Sequence, residues 1–249
     1  MRRLLGAVSF LTRIPAGASM DAEPAMVAKS ARWFPFVGFA LGCVYAGAAW
    51  LLLRWLPALV VAVLLLALDA VLTGALHLDG LADMADGFGG GRTREDVLRI
   101  MRDHAIGSYG AAALILVLLL KAACLSELLR TRHGLWILFI APALGRWTLV
   151  LLSYLEPYAR SGDAGTGSVA KWIGGTELAI ATLTCIPLPF LFGVERSSIC
   201  WGAVALVTVL VAWICDRRIG GITGDILGAN TVVAECVQFV LAAAAQHAM

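Results

Sequence analysis

The sequence predicts an all-α, polytopic integral membrane helical bundle with about seven transmembrane helices and a cytoplasmic amino terminus. Three observations carry that prediction. Of 249 residues 60% are apolar and only 14% are charged, with a mean hydropathy of +0.86, whereas a water-soluble surface of this size needs far more charge. Apolar stretches of roughly 20 residues, the length that crosses a bilayer core, recur along the chain. Lysines and arginines fall mainly in alternate connections.

The expected spans are Trp33–Leu53, Pro57–Leu76, Tyr109–Leu129, Leu135–Leu155, Leu178–Val194, Ile199–Cys215 and Thr231–Ala245. None alternates with period two, so helices are the reading. The fifth is short and interrupted by Pro187 and Pro189, which predicts a kinked or re-entrant segment. The seventh carries Glu235 and Gln238 near its start, and its full crossing is left open.

With the amino terminus inside, Arg2, Arg3, Arg13, Lys29, Arg32, Arg92, Arg94, Arg99, Arg102, Arg160, Lys171, Arg217 and Arg218 are cytoplasmic. Only Arg54, Arg130, Arg132 and Arg196 lie opposite, while Lys121 and Arg146 fall inside spans. The long connections 1–32, 77–108, 156–177 and 216–230 are therefore expected on the cytoplasmic side of a single membrane-embedded domain, 1–249. The first should hold an interfacial helix with Leu4, Leu5, Val8 and Leu11 on one face. Met1-Arg2-Arg3 precedes too short an apolar run for a cleavable signal. The net charge of +2 points to no nucleic-acid partner, and the six cysteines lack metal-site or disulfide spacing, so they read as packing residues.

The stretch His77-Leu-Asp79-Gly-Leu-Ala-Asp83-Met-Ala-Asp86-Gly87 follows the second span. Spacings of four and three put Asp79, Asp83 and Asp86 on one helical face, where like charges repel. A divalent cation would neutralise them, and Mg²⁺ suits a few carboxylates plus phosphate oxygens. After the glycines that follow, Thr93 with Glu95 and Asp96 starts a second helix carrying Arg99, Arg102, Asp103 and His104. The hairpin over 77–108 could set Asp103 against the first cluster, or Asp103 could simply pair with Arg99. In 216–230, Gly221, Thr223 and Gly224 form a backbone cradle for a diphosphate beside Arg217 and Arg218, with Asp225 a further metal ligand or base. A charge within a span needs a partner or a cavity. Lys121 and Arg146 are thus either struts paired with Asp69 or Glu127, or, for Arg146, a contact to an anionic substrate.

Taken together, Ser9–Pro15, Phe34–Gly38, the His77–Gly87 stretch, Ile100–Asp103, Ile106-Gly107 and Gly220–Gly228 resemble the cobalamin synthase family, the adenosylcobinamide-GDP ribazoletransferases. Glu235 and Tyr158-Ala-Arg160 also fit, and the match spans nearly the whole chain. His104 departs from the family's small hydroxyl residue at that position. The resemblance implies a bacterial inner-membrane enzyme that uses Mg²⁺. It would join adenosylcobinamide-GDP to α-ribazole, or to α-ribazole 5′-phosphate, with release of GMP, and is compatible with a homo-oligomer or with association with other cobalamin-assembly enzymes.

Set on that chemistry, the residues take expected roles. Asp79, Asp83, Asp86 and Asp225 would hold the metal, and Asp86 or Asp103 would take the attacking hydroxyl's proton. Arg99, Arg102, Arg217 and Arg218 would contact phosphates or nucleotide. His77, Arg146, Gly221, Thr223, Gly224 and Glu235 complete the expected substrate contacts. Two other readings stand beside this one. A CDP-alcohol phosphotransferase fits poorly, because Met84-Ala85-Asp86 replaces that family's Ala-Arg. A small-anion transporter would use Lys121 and Arg146 as a path, but no matching pair of broken helices is seen.

Overall fold

The computed structural model describes residues 2–16, 27–131, 134–160 and 166–247. Its α-helices are α1 (Arg2–Leu11), α2 (Phe34–Leu52), α3 (Ala58–Thr73), α4 (Leu76–Gly90), α5 (Arg94–Ile100) and α6 (Ser108–Leu128), followed by α7 (Ile137–Leu155), α8 (Gly175–Cys185), α9 (Pro187–Phe192), α10 (Val194–Ile219) and α11 (Gly224–His247). Among the described residues six segments are long and apolar enough to cross a membrane, or up to seven if the bent pair α3–α4 counts as one span. The chain is therefore the helical membrane bundle that its hydropathy predicts.

The fifth expected span is α8 running into α9. Pro187 falls at the start of a new helix, where the missing N–H costs nothing, so the two stay nearly continuous through Ile186. Gly193, at φ 103°, then turns the chain back into α10. The seventh span is longer than expected. It begins at Gly224, so Asp225, Gly228 and Asn230 are helical rather than part of a loop over 216–230. Only 220–223 remain between α10 and α11.

Helices α7 and α11 are mostly buried and form the bundle's centre, while the flanks of α6, α8, α9 and α10 face outward with leucines, isoleucines and Phe190. Without a hydrophobic drive between helices in lipid, close approach comes from small residues. Gly38 and Gly42, spaced as GxxxG on α2, press on α7. A Cβ at Gly42 would lie 2.5 Å from the Leu138 carbonyl, and one at Gly38 would overlap the Pro142 carbonyl. Pro142 lacks the N–H that would otherwise occupy Leu138's carbonyl, so this part of α7 is open to Gly42. Four of the cysteines are buried and none is bridged.

Helix α1 packs onto the bundle. Ala7 and Leu11 are fully buried, Leu4 and Val8 lean on the core beside them, and Phe10 stacks on Phe34 with ring centroids 5.4 Å apart. The buried face is thus rotated away from Leu5.

The four long connections meet at one end. Arg94 donates to the carbonyls of Ile219 (2.7 Å) and Ala159 (2.8 Å), and Arg32 pairs with Glu177 at 2.5 Å. The Arg13 N–H donates to the Leu72 carbonyl at 2.7 Å. At that end the chain turns sharply between α3 and α4, which are bent by 93°. Gly74 (φ 67°) and Ala75 (φ 56°) make the bend with two successive left-handed residues, a conformation ordinary residues adopt only singly and at a cost. The bend lays the polar helix α4 across the end of the bundle.

Candidate active site

Helix α4 crosses the start of α11 at two glycines. A Cβ on Gly80 would sit 2.5 Å from the Asp225 carbonyl, and one on Gly228 would sit 3.2 Å from the His77 Cα. The two backbones touch there, and this brings Asp79 and Asp83 of α4 beside Asp225 in the first turn of α11. Burial pushes the Asp83 carboxyl up to about 6, with the charges of Asp225 and then Asp79 adding to the rise. Negative charge is therefore crowded at this crossing. Arg160 lies against it, donating to Asp225 Oδ2 at 3.0 Å and to the Met101 carbonyl at 3.5 Å. From the sequence, only the family resemblance ties Arg160 to the site. The local signal for it was slight: one arginine in a polar connection, 65 residues from its partner.

Between these groups and α1, α2 and α7 lies a cavity of about 220 Å³. Its lining includes the charged Asp79, Arg160 and Asp225, the apolar Phe10, Phe34, Leu149 and Ile173, and His77.

Not every expected site residue joins this cavity. Asp86 shares the face of Asp79 and Asp83, but its oxygens accept from the backbone N–H groups of Gly107 (2.7 Å) and Gly110 (2.9 Å). It caps α6, whose first N–H groups have no helical partner, and is engaged there rather than free for metal or proton transfer. Asp103 is exposed in the turn after α5 and accepts from the Ala105 N–H at 3.1 Å. Arg99 pairs with Asp96 at 3.2 Å, not with Asp103, because Asp96 is one helical turn away on the same face. Arg102 and His104 are exposed beside it.

The glycine-rich turn is not an open cradle either. The Ile222 N–H donates to the Pro157 carbonyl at 2.9 Å and the Ala159 N–H to the Ile222 carbonyl at 2.8 Å. Gly221, at φ 140°, lies so close to the Pro157 carbonyl that any Cβ would overlap it. Thr223 is buried, and its Oγ1 accepts from the Ile226 N–H at 3.4 Å and lies 3.3 Å from Asp225 Oδ2. Of the expected cradle, Gly224 reaches the cavity. Arg217 stacks over Trp213 and Arg218 donates to the Phe88 carbonyl at 2.8 Å, both on the outer surface.

Arg146 and Glu235 belong to a separate network inside the bundle. Glu235 accepts from Lys121 at 2.7 Å and, at very short range, from Arg146. Arg146 also lies 3.6 Å from Asp69, which accepts from the Tyr45 hydroxyl at 2.5 Å. Two cations meet two anions, so the group is neutral, and the adjoining cavity of about 20 Å³ leaves no room for a passing anion. Arg146 is a strut. Glu127, its other expected partner, instead pairs with Arg130 at the surface.

Asp79, Asp83 and Asp225 remain as candidate metal ligands. Among the described residues no three such side chains stand together as a ready-made cage. That donor set suits Mg²⁺, which keeps several waters and shares its shell with substrate phosphates, better than it suits a cation needing an all-protein site.

Residues 3–243 match the family model of cobalamin-5-phosphate synthase. Proteins named adenosylcobinamide-GDP ribazoletransferase from Syntrophobacter fumaroxidans and Chlorobaculum tepidum are 39% and 40% identical to the chain. Each match covers 96% of this chain, and 96% and 94% of the respective relative. The protein of that name from Pseudomonas paraeruginosa is 40% identical over 96% of this chain and 97% of its own length. No solved structure matches the chain. With the family model covering nearly every residue and relatives this similar end to end, the chain belongs to the cobalamin-5-phosphate synthase family.

Proposed function

We propose that the chain is an adenosylcobinamide-GDP ribazoletransferase acting at the cavity between α4 and α11. The observation that carries this is the juxtaposition of Asp79, Arg160 and Asp225 on the lining of that cavity, with Asp83 within electrostatic reach of all three, in a chain similar to the ribazoletransferases along its whole length. The ribose 5′-hydroxyl of ribazole attacks the phosphorus on the cobinamide side of the diphosphate. That P–O bond forms as the bond to GMP breaks.

Each residue's part follows from its position. Asp79, Asp83 and Asp225 would hold Mg²⁺, which when bound supplies positive charge against the diphosphate and the departing GMP. Arg160, held by Asp225 and by the Met101 carbonyl, places a fixed guanidinium charge beside the phosphate oxygens. A carboxylate oxygen not held by the metal takes the hydroxyl proton. The apolar walls exclude water, which would otherwise compete as nucleophile. The whole chain acts as one catalytic unit, seated in a bacterial inner membrane with the cavity end in the cytoplasm. The excess of lysine and arginine in the four connections gathered at that end supports this orientation.

The test is direct. Detergent-purified protein given adenosylcobinamide-GDP and α-ribazole should release GMP in step with corrinoid product. Chelation by EDTA should stop this and added Mg²⁺ restore it. Absence of GMP release in the presence of Mg²⁺ would overturn the assignment.

A further inference from the structure

We propose that the start of α1, the turn before α2 and the first turns of α8 together bind the headgroup of an anionic phospholipid. The site shares no lining residue with the reaction cavity, and it stands or falls independently of the reaction proposed above.

Arg2 and Arg3 of α1, Arg32 and Trp33 of the turn before α2, and Ile180 of α8 line an open hollow of about 590 Å³. The fold brings them together because α1 packs onto the bundle through Ala7 and Leu11, which leaves the arginines of its first turn beside Arg32. The charge of Arg32 is balanced by Glu177. Arg2 and Arg3 are exposed, and among the described residues neither has a carboxylate partner. The hollow therefore carries the positive charge of both, which a bound anion would offset.

Depth and surroundings identify the anion. Arg32 and Trp33 stand at the beginning of the span Ala31–Leu52, and Ile180 lies about 7.5 Å along the span Gly175–Phe192. The hollow is thus at the level where headgroups meet hydrocarbon, the zone in which tryptophan is enriched. One turn further into each span, Phe36 and Leu183 are 46% and 61% exposed, on the faces of Trp33 and Ile180. Phe36 meets Trp33 edge to face, with ring centroids 6.2 Å apart. A cationic hollow that opens onto an apolar outer face matches a phosphodiester joined to acyl chains. A free phosphate would use the arginines but not that face.

Titrating lipid onto delipidated, detergent-purified protein, read by native mass spectrometry, tests the site without any turnover. The wild-type chain should bind phosphatidylglycerol about tenfold or more tightly than phosphatidylcholine, whose headgroup has no net charge. Arg2→Gln combined with Arg3→Gln should weaken phosphatidylglycerol by about tenfold or more, since each basic side chain at an anionic surface contributes about a factor of five. Removing as much charge from the same end of the bundle, by Arg92→Gln with Arg217→Gln, should change its affinity by less than about twofold. Ile180→Glu keeps all three arginines but adds a carboxylate to the hollow, and should weaken binding as the Arg2 and Arg3 changes do. If a double variant fails to fold, Ile180→Glu against wild type still decides. Inorganic phosphate at the lipid's own concentration should leave the lipid bound. Equal affinity for the two lipids, equal losses in the two double variants, or an unweakened Ile180→Glu overturns the proposal. Displacement by inorganic phosphate also overturns it, and assigns the hollow to a soluble anion. A chain that binds the lipid here yet releases no GMP loses the reaction and keeps this site.

Discussion

At the scale of single residues, three aspartates on one helical stripe turn out to have two different fates. Asp83 sits among negative charge that Arg160 offsets only in part, so replacing it with a neutral isostere removes repulsion as well as a proposed metal ligand. Asp83→Asn should lower kcat/KM by about 100-fold or more while thermal stability stays level or rises, as expected where function is held against stability. Activity within tenfold of wild type would count against its role. Asp86 behaves in the opposite way. Its carboxylate ties α4 to the start of α6, so Asp86→Ala should lose about 1–2 kcal/mol of stability through the lost cap, measured as a lower midpoint of thermal unfolding. The stripe itself was legible, because spacings of four and three fix a helical face. The division of labour was not, because it depends on Gly107 and Gly110, which are 21 and 24 residues away in sequence. Asp103 misled for a related reason: the short helix expected to carry Arg102, Asp103 and His104 ends at Ile100, and the turn after it leaves that carboxylate in the open.

At the scale of elements, the site exists because two backbones can touch. Gly80 has its missing side chain pointed at the Asp225 carbonyl, which is backbone and cannot swing aside. Gly80→Ala should push α4 off α11, cost about 1–3 kcal/mol of stability and reduce kcat more than tenfold. The same change at Gly202, where a Cβ would meet nothing within 4 Å, should be neutral. Glycine density at 220–228 suggested a phosphate loop from the sequence. In the fold only 220–223 turn, and Gly224 and Gly228 are the first residues of a packed membrane helix. In lipid, glycine marks close helix contact as often as a turn, and sequence spacing alone does not separate the two uses. The spans themselves were easier, since length and hydropathy suffice; only their ends moved, where caps such as Gly74–Ala75 and Gly220 depend on local backbone geometry.

At the scale of the whole molecule, orientation and cohesion can be tested separately. If the gathered connections face the cytoplasm, a membrane-impermeant thiol reagent on intact cells should miss Arg102→Cys and label Arg130→Cys, against a background in which the exposed Cys43 has been replaced; the reverse pattern would invert the bundle. Cohesion rests on the buried group that joins Tyr45 of α2, Asp69 of α3, Lys121 of α6, Arg146 of α7 and Glu235 of α11. Its members lie far apart in sequence, and the expectation of a partner for Arg146 reached Asp69 but not the central Glu235. Glu235 answers two cations at once, so Glu235→Gln strands Lys121 and leaves Arg146 only Asp69 at 3.6 Å. Breaking a buried pair from one side typically costs about 3–5 kcal/mol, and the unfolding midpoint should fall accordingly. Removing the stranded cation as well restores neutrality: in Lys121→Met with Glu235→Gln, Arg146 and Asp69 still balance. The double variant should therefore be more stable than Glu235→Gln alone, a non-additivity of the sign expected for residues sharing one network. If the two losses simply summed, Lys121 and Glu235 would be independent, and the bundle would owe its cohesion to its glycine contacts rather than to this charge group.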